Sequence, residues 1–283
     1  MPTVAGLVTL LTDFGLADYY VGAVKGTLLR LAPGCRLIDL SHELPPGDVA
    51  GAADLLAGAA PTFPPGTIHL AVVDPGVGGD RRILAARAGV QSFVAPDNGL
   101  LGPSLERLGG ADARVWSVER GELFLSAPGA TFHGRDRFAP VAAALACGEA
   151  PESLGPEIDD PVPLPGAPPT RRLDGGRTVL VGRVGRIDRF GNLVTDLPAA
   201  WVAELEPEDG LGPRPAPETA PAVEVAGHEV RRWVSHYAEL APDEAGALVG
   251  SLGTVELSLP GESLARRWGI ERGAPVLIRG PEG

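Results

Sequence analysis

Five short runs set carboxylates, a histidine and arginines beside glycines and turn residues. They are Thr12-Asp13-Phe14-Gly15-Leu16, Val73-Asp74-Pro75-Gly76-Val77-Gly78 with Arg81 and Arg82 close behind, Pro96-Asp97-Asn98-Gly99, Thr131-Phe132-His133-Gly134-Arg135-Asp136, and Ile187-Asp188-Arg189-Phe190-Gly191-Asn192. A strand that ends in a carboxylate and a tight turn holds a reacting group at the mouth of an α/β sheet. A carboxylate with a histidine and an arginine in reach can take a proton from water and steady the charge that develops. Each run also has a plainer reading. Asp13 can cap a helix or shape a turn, His133 can be a satisfied histidine at a helix start, and Asp188 and Asn192 can form a hairpin turn around Gly191. Asp13, Asp74 and His133 are also the residue types of a metallohydrolase, although their spacing supplies no clear metal site.

The elements that must carry these residues follow from apolar periodicity. Residues 6–11 read as a buried strand ending at Asp13, Tyr20–Leu31 as a helix closed by Pro33-Gly34, 36–40 as a second strand, 48–60 as an alanine-rich helix, and 68–73 as the strand that delivers Asp74. Strand and helix alternate over short connections, the pattern of a largely parallel sheet with helices on its faces. Further short strands are expected at 83–87, 92–95, 114–118 and 122–125, and a helix at 138–147 beyond His133. Residues 150–176 turn rich in Pro, Gly and acidic residues with no apolar period, which marks a boundary. The domains expected are 1–155, α/β, a linker over 156–177, and 178–283, smaller and mainly β, a barrel or sandwich. Residues 207–221 read as a polar, proline-rich surface loop or partly disordered insertion.

The bulk numbers narrow the partners. A net charge of -12 and a pI near 4.9 argue against nucleic acid or an anionic membrane, and leave a cationic small molecule compatible. The start of the chain has no basic stretch before its apolar residues and runs at once into Asp13 and Asp18, which reads as a first strand and not as a signal peptide or membrane span. Cys35 and Cys147 give neither a metal spacing nor a disulfide framework and fit a reducing cytoplasm. Lys25 is the only lysine beside 39 glycines and 29 prolines, read as genome composition with some thermal adaptation.

Taken together and in order, the five runs, with Tyr20-Val21-Gly22 and Leu100, resemble the S-adenosyl-L-methionine (SAM) hydroxide adenosyltransferase family, also called SAM hydrolases, relatives of the SAM-dependent fluorinase and chlorinase. The resemblance implies an N-terminal Rossmann-like α/β domain followed by a C-terminal β-barrel, and a homotrimer whose sites lie between subunits. It implies hydrolysis of SAM to adenosine and methionine, with SAM as substrate, no cofactor and no metal. By motif the catalytic Asp, Arg and His fall on Asp74, Arg81 (with Arg82 adjacent) and His133. Asp13 matches the carboxylate that binds the ribose hydroxyls. Phe132, Asp188, Phe190 and Asn192 match ligand contacts, Asn192 at the adenine edge and Asp188 at the amino-acid end. The family's Leu-Glu-Ile-Ala segment is replaced by Val255-Glu256-Leu257-Ser258, with Ser251 ahead of it matching the methionine-binding serine. Where the halogenating relatives carry a tyrosine this chain has Asp74, and a carboxylate there repels a halide. Two other readings remain open on the sequence: a SAM or adenosine sensor without turnover, and a metal-dependent phosphoesterase.

Overall fold

The apolar run before Asp13 is strand β1 (Leu7–Thr12), buried over nearly its whole length in a seven-stranded sheet. A computed structural model of the chain describes residues 6–126, 129–205 and 220–280, which divide into two compact units, Met1–Pro165 and Gly166–Gly283. In the first unit β1 is followed by α1 (Tyr20–Leu31), β2 (Arg36–Ser41), α2 (Val49–Ala59), β3 (Ile68–Val72), β4 (Ile83–Ala88), β5 (Gln91–Pro96), α3 (Gly102–Leu108), β6 (Arg114–Ser117), α4 (Ala139–Ala146) and β7 (Glu157–Ile158). The strand order is β2-β1-β3-β5-β4-β6-β7.

Side-chain alternation splits the core in two. Val8 and Leu10 of β1, with Leu70 and Val72 of β3, face a cluster containing Val24, Leu28, Phe138 and Val141 from the α1 and α4 side. Their neighbours Leu11 and Ala71 join Leu56, Phe93 and Leu105 on the α2 and α3 side. A strand buried on both faces reads as a continuous apolar run, which is why β1 and β3 stood out in the sequence.

The expected largely parallel sheet holds only for β2, β1, β3 and β5. β4 pairs antiparallel with β5 and β6, and β6 antiparallel with β7, so the sheet is mixed. Two residues, Gly89 and Val90, join β4 to β5, and a connection that short permits only a hairpin. The strand expected at 122–125 is instead a single helical turn, Gly121–Leu123. Helix α3 was not foreseen, since seven residues are too few for a 3.6-residue period to show.

The second unit contains β8 (Thr170–Asp174), β9 (Arg177–Ile187), β10 (Leu193–Pro198), α5 (Ala199–Ala203), β11 (Ala222–Val225), β12 (His228–Val230), β13 (Gly246–Val249), β14 (Thr254–Ser258), α6 (Leu264–Trp268) and β15 (Pro275–Arg279). Its strands run β12-β11-β15-β9-β10-β14-β13, with β8 beside β9. Past β12 the chain returns to the opposite edge: Trp233 bridges Ala247, Val234 N–H donates to Ala247 O at 2.9 Å, and Ala247 N–H donates to Arg232 O at 2.8 Å. That contact nearly closes the sheet into a barrel and decides against a sandwich. Ala226 and Gly227, both at positive φ, turn the chain between β11 and β12 into a hairpin. Two strands fall inside 156–177: β7 joins the first sheet and β8 the second. Both are short and carry charged residues, so neither shows an apolar period. Of the 207–221 insertion only Ala220 and Pro221 are among the described residues. No helix among the described residues is long and apolar enough to cross a membrane.

One polar group lies deep in the first core. His69 of β3 is fully buried, its Nδ1 2.7 Å from Thr9 Oγ1 and its Nε2 3.1 Å from Gln91 Oε1, with the ring stacked on Phe93. Burial pushes its pKa down to about 4. Between pH 6.5 and about 4 the unfolded chain binds a proton that the folded chain refuses, so His69 lowers stability as pH falls through that window. Urea unfolding is expected to show about 3 kcal/mol of acid destabilisation that His69→Gln lacks. Parallel pH profiles for the two proteins would contradict it.

Candidate active site

β1 and β3 are neighbours in parallel register, Thr12 opposite Val72, so the residues that follow them emerge together at one edge of the sheet. Asp13 follows Thr12 directly, and Asp74 stands two residues past Val72. His133 reaches the same edge from the wide helical turn Gly134–Phe138 that leads into α4, a helix packed on β1 and β3. Gly134 permits this approach: a Cβ there would stand 3.0 Å from the Phe14 ring. The loop behind Asp74 is braced by the Pro96-Asp97-Asn98-Gly99 turn, where Asn98 Nδ2 donates to Val73 O at 2.9 Å.

Arg81 ties the centre together. Its Nε donates to both Asp74 oxygens at 3.0 Å, and its Nη2 donates to Asp74 Oδ2 and, at 2.8 Å, to His133 Nδ1. The guanidinium lies over the Phe138 ring, 5.1 Å from its centre. The side chains of Arg81 and Asp74 are 11% and 5% exposed, so this is a buried pair. Arg82 is turned elsewhere, its Nε 2.6 Å from Asp97 Oδ2 and its Nη1 2.7 Å from Asp160 Oδ1. The structure therefore groups Arg81, and not Arg82, with Asp74 and His133.

A guanidinium has donors and no acceptor, so the Arg81 contact makes His133 Nδ1 the accepting nitrogen and leaves the proton on Nε2. Burial lowers the His133 pKa, and the positive charges of Arg137 and Arg81 lower it further against the opposing pull of Asp74 and Asp136. Two buried N–H groups of the centre have no protein partner: His133 Nε2 and Arg81 Nη1. Buried donors without partners mark where a ligand or water belongs.

A cavity of about 500 Å³ opens on this centre. Asp13, Asp74, Phe132 and His133 line it together with Tyr19 and Tyr20. Phe132 packs edge-on against Phe14 and Tyr20, with ring centres 6.1 and 5.0 Å away, and the Arg135 guanidinium covers it at 4.9 Å. Asp13 already accepts Gly47 N–H at 2.7 Å on Oδ2, which leaves Oδ1 as the freer oxygen for a ligand. The two tyrosines were missed as site residues, although the Asp18-Tyr19-Tyr20 run beside the first motif held them.

The remaining predicted residues lie in the second unit, at the β9–β10 hairpin. Asp188 Oδ1 accepts the N–H groups of Phe190 and Asn192, both at 2.9 Å, and Oδ2 accepts Asn192 Nδ2 at 2.9 Å. Asn192 Oδ1 accepts Ser258 Oγ at 2.7 Å. The turn needs Gly191, whose φ is +87° and whose Cβ would strike Ser263. Asn192 and the exposed Phe190 line a cavity of about 570 Å³ with Tyr237 and Ser258, and Asp188 lines a neighbouring one of about 460 Å³. Ser251 is exposed in the turn between β13 and β14, outside the lining of either. The structure does not bring it to the other predicted residues. Ser258, unforeseen, takes part in the hydrogen-bonded group instead.

Family comparison covers most of the chain. The model described as the SAM hydroxide adenosyltransferase N-terminal domain matches residues 8–155, and that of the C-terminal domain matches residues 182–277. The chain is 41% identical to the (R)-S-adenosyl-L-methionine hydrolase of Thermus thermophilus, over 96% of this chain and 98% of that protein. It is 40% identical to the (R)-S-adenosyl-L-methionine hydrolase of Salinispora tropica over 94% and 95%. A fluorinase of an Actinoplanes species is 28% identical over 68% of this chain and 71% of its own. Among solved structures, an uncharacterized conserved protein from Thermotoga maritima superposes with a TM-score of 0.82 at 30% identity, covering 96% of this chain and 99% of that one.

Removing Arg81 leaves a buried carboxylate without its counter-charge. Arg81→Met is expected to cost about 3–5 kcal/mol, and adding Asp74→Asn should recover much of it. Urea unfolding of both single variants and the double variant measures this, and a loss in the double equal to the sum of the two single losses would show that the pair is not coupled.

Proposed function

The chain belongs to the SAM hydroxide adenosyltransferase family, and from that premise we propose that it hydrolyses S-adenosyl-L-methionine to adenosine and L-methionine. The observation that carries this reading is the Asp74–Arg81–His133 centre, in which Asp74 and His133 line a cavity and the buried His133 Nε2 has no protein partner. The sulfonium of SAM leaves as a neutral thioether and needs no general acid. The task is then to deliver a water oxygen to ribose C5′ in line with the departing sulfur.

The tautomer divides the labour. His133 offers an N–H at Nε2 and has its Nδ1 lone pair engaged by Arg81, so the proton of the attacking water goes to Asp74. One donor, from His133 or Arg81, holds the water by one lone pair and leaves the other for C5′. As the C5′–O bond forms, the water O–H bond breaks toward Asp74 and the C5′–S electron pair stays on sulfur. Asp13 Oδ1 suits the ribose diol, and Phe132 with Tyr19 and Tyr20 offers aromatic surface to the sulfonium-bearing end. A carboxylate at position 74 favours water over a halide. Asn192, Phe190 and Asp188 keep their proposed ligand roles from the second unit.

No metal enters this reading, since Arg81 already occupies the Asp74 oxygens and the His133 lone pair that a cation would need. The Rossmann-like description of the first unit, a homotrimer and a cytoplasmic location belong to the same proposal and rest on the resemblance and on cysteine usage.

Purified protein incubated with SAM is expected to yield adenosine and methionine in equal amounts by chromatography, unchanged by exhaustive chelation. SAM returned intact points to a sensor, and activity lost to the chelator points to a metallohydrolase. Asp74→Asn is expected to lower kcat by about 100-fold or more while adenosine affinity holds. Turnover at the wild-type rate in that variant removes Asp74 as the proton acceptor.

A further inference from the structure

A third buried histidine, His42, sits in a hydrogen-bonded group that the proposed reaction does not use. His42 follows β2 and is 3% exposed; its Nδ1 is 2.8 Å from Thr12 Oγ1 at the end of β1, itself 1% exposed. Thr12 Oγ1 accepts the N–H of Phe14 at 3.3 Å, which leaves the hydroxyl proton for His42 Nδ1. The neutral ring then carries its proton on Nε2, and Nε2 lies 3.0 Å from Asp39 Oδ1 in ion-pair contact, though the N–H is not aligned on that oxygen. Asp39 is held in turn by Lys25, the only lysine of the chain, at 2.6 Å. Partial burial alone would raise the Asp39 pKa, and the hydrogen bond from Lys25 together with the His42 ring beside it reverses that and brings it below the ordinary carboxylate range.

The chain Lys25–Asp39–His42–Thr12 thus runs from the surface to the residue directly before Asp13. The same segment holds Asp13 from its other side. Gly15 N–H donates to the backbone carbonyl of His42 at 2.8 Å, and Gly47 N–H donates to Asp13 Oδ2 at 2.7 Å. Thr12, Phe14 and Gly15 are therefore all tied, directly or through one atom, to His42. The Asp13 carboxylate between them cannot turn without breaking one of these bonds.

We propose that His42 is a positioning residue for the substrate ribose: with Thr12 and Asp39 it locks the loop that aims Asp13 into the cavity. The inference rests on the hydrolase reading. It assigns binding, not the chemical step, to the Thr12–His42–Asp39 group, because Asp74 and Arg81, in the segment after β3, and His133, at the turn before α4, hydrogen-bond to one another and His42 bonds to Thr12.

The test separates KM from kcat. His42→Leu removes the acceptor for Thr12, and Thr12→Val removes its donor while nearly keeping its shape. Each is expected to raise KM for SAM and Kd for adenosine together by about tenfold, the scale of one lost buried hydrogen bond, with kcat within about twofold. His42→Asn, which restores an acceptor near the Nδ1 position, should return both constants most of the way. A purely structural role moves the melting temperature and leaves KM unchanged in the folded fraction. In an active wild-type protein, unchanged KM and Kd in both variants, or a fall in kcat in their place, overturns this assignment alone. A wild-type protein that leaves SAM intact overturns the hydrolase reading and this assignment with it.

Discussion

The site depends on one buried guanidinium placed between a carboxylate and an imidazole. Arg81 keeps Asp74 paired in a region where an unpaired charge would be costly, and it fixes the histidine tautomer by donating to Nδ1. It can do both only because three separate pieces of chain converge. β1 and β3 are adjacent and parallel, the Asn98 side chain pins the end of the β3 run, and Phe138 gives the guanidinium an aromatic floor. The fold makes those pieces converge by burying β1 and β3 on both faces, so neither can shift register without moving core side chains into the wrong layer.

Much of this was legible in the residues, and the limits have physical reasons. Asp74 and Asp13 could be read as strand-end carboxylates because long apolar runs announce doubly buried strands. His133 could be read because glycine and charged neighbours crowd a helix entry. The choice between Arg81 and Arg82 was decided by direction, not by residue type: adjacent side chains leave an extended segment on opposite sides, one to Asp74 and the other to Asp97 and Asp160. The mixed sheet was hidden because periodicity identifies strands but not their partners. Tyr19 and Tyr20 were passed over because aromatics at the start of a helix read as part of its entry, and the helical pattern does not say that they line a cavity. Ser251 and Ser258 show a similar limit in the second unit, where Ser251 is exposed in the turn between β13 and β14 and Ser258 is buried at the end of β14.

In the second unit the residues proposed to meet the ligand are also the residues that build a turn. Asp188 does what an Asx side chain does in any tight hairpin, accepting backbone N–H groups two and four residues on. By also accepting Asn192 Nδ2 it fixes which end of that amide is which, and Ser258 confirms the choice from the other side. Each end of Asn192 keeps capacity for one further partner, with its orientation set in advance. That is preorganisation of a hydrogen-bonding edge, and it costs little because the turn requires the same contacts. Phe190, exposed beside it, offers a flat apolar face of the kind that a purine covers well.

The division of roles in the proposed reaction rests on the proton carried by His133, and nitrogen-15 NMR of the imidazole reads it directly. At neutral pH the account predicts a neutral ring with Nδ1 unprotonated and Nε2 protonated, and loss of that preference when Arg81 is replaced by methionine. A ring protonated on Nδ1, or an imidazolium at neutral pH, would contradict it, because His133 could then neither accept from Arg81 nor leave the water's proton to Asp74.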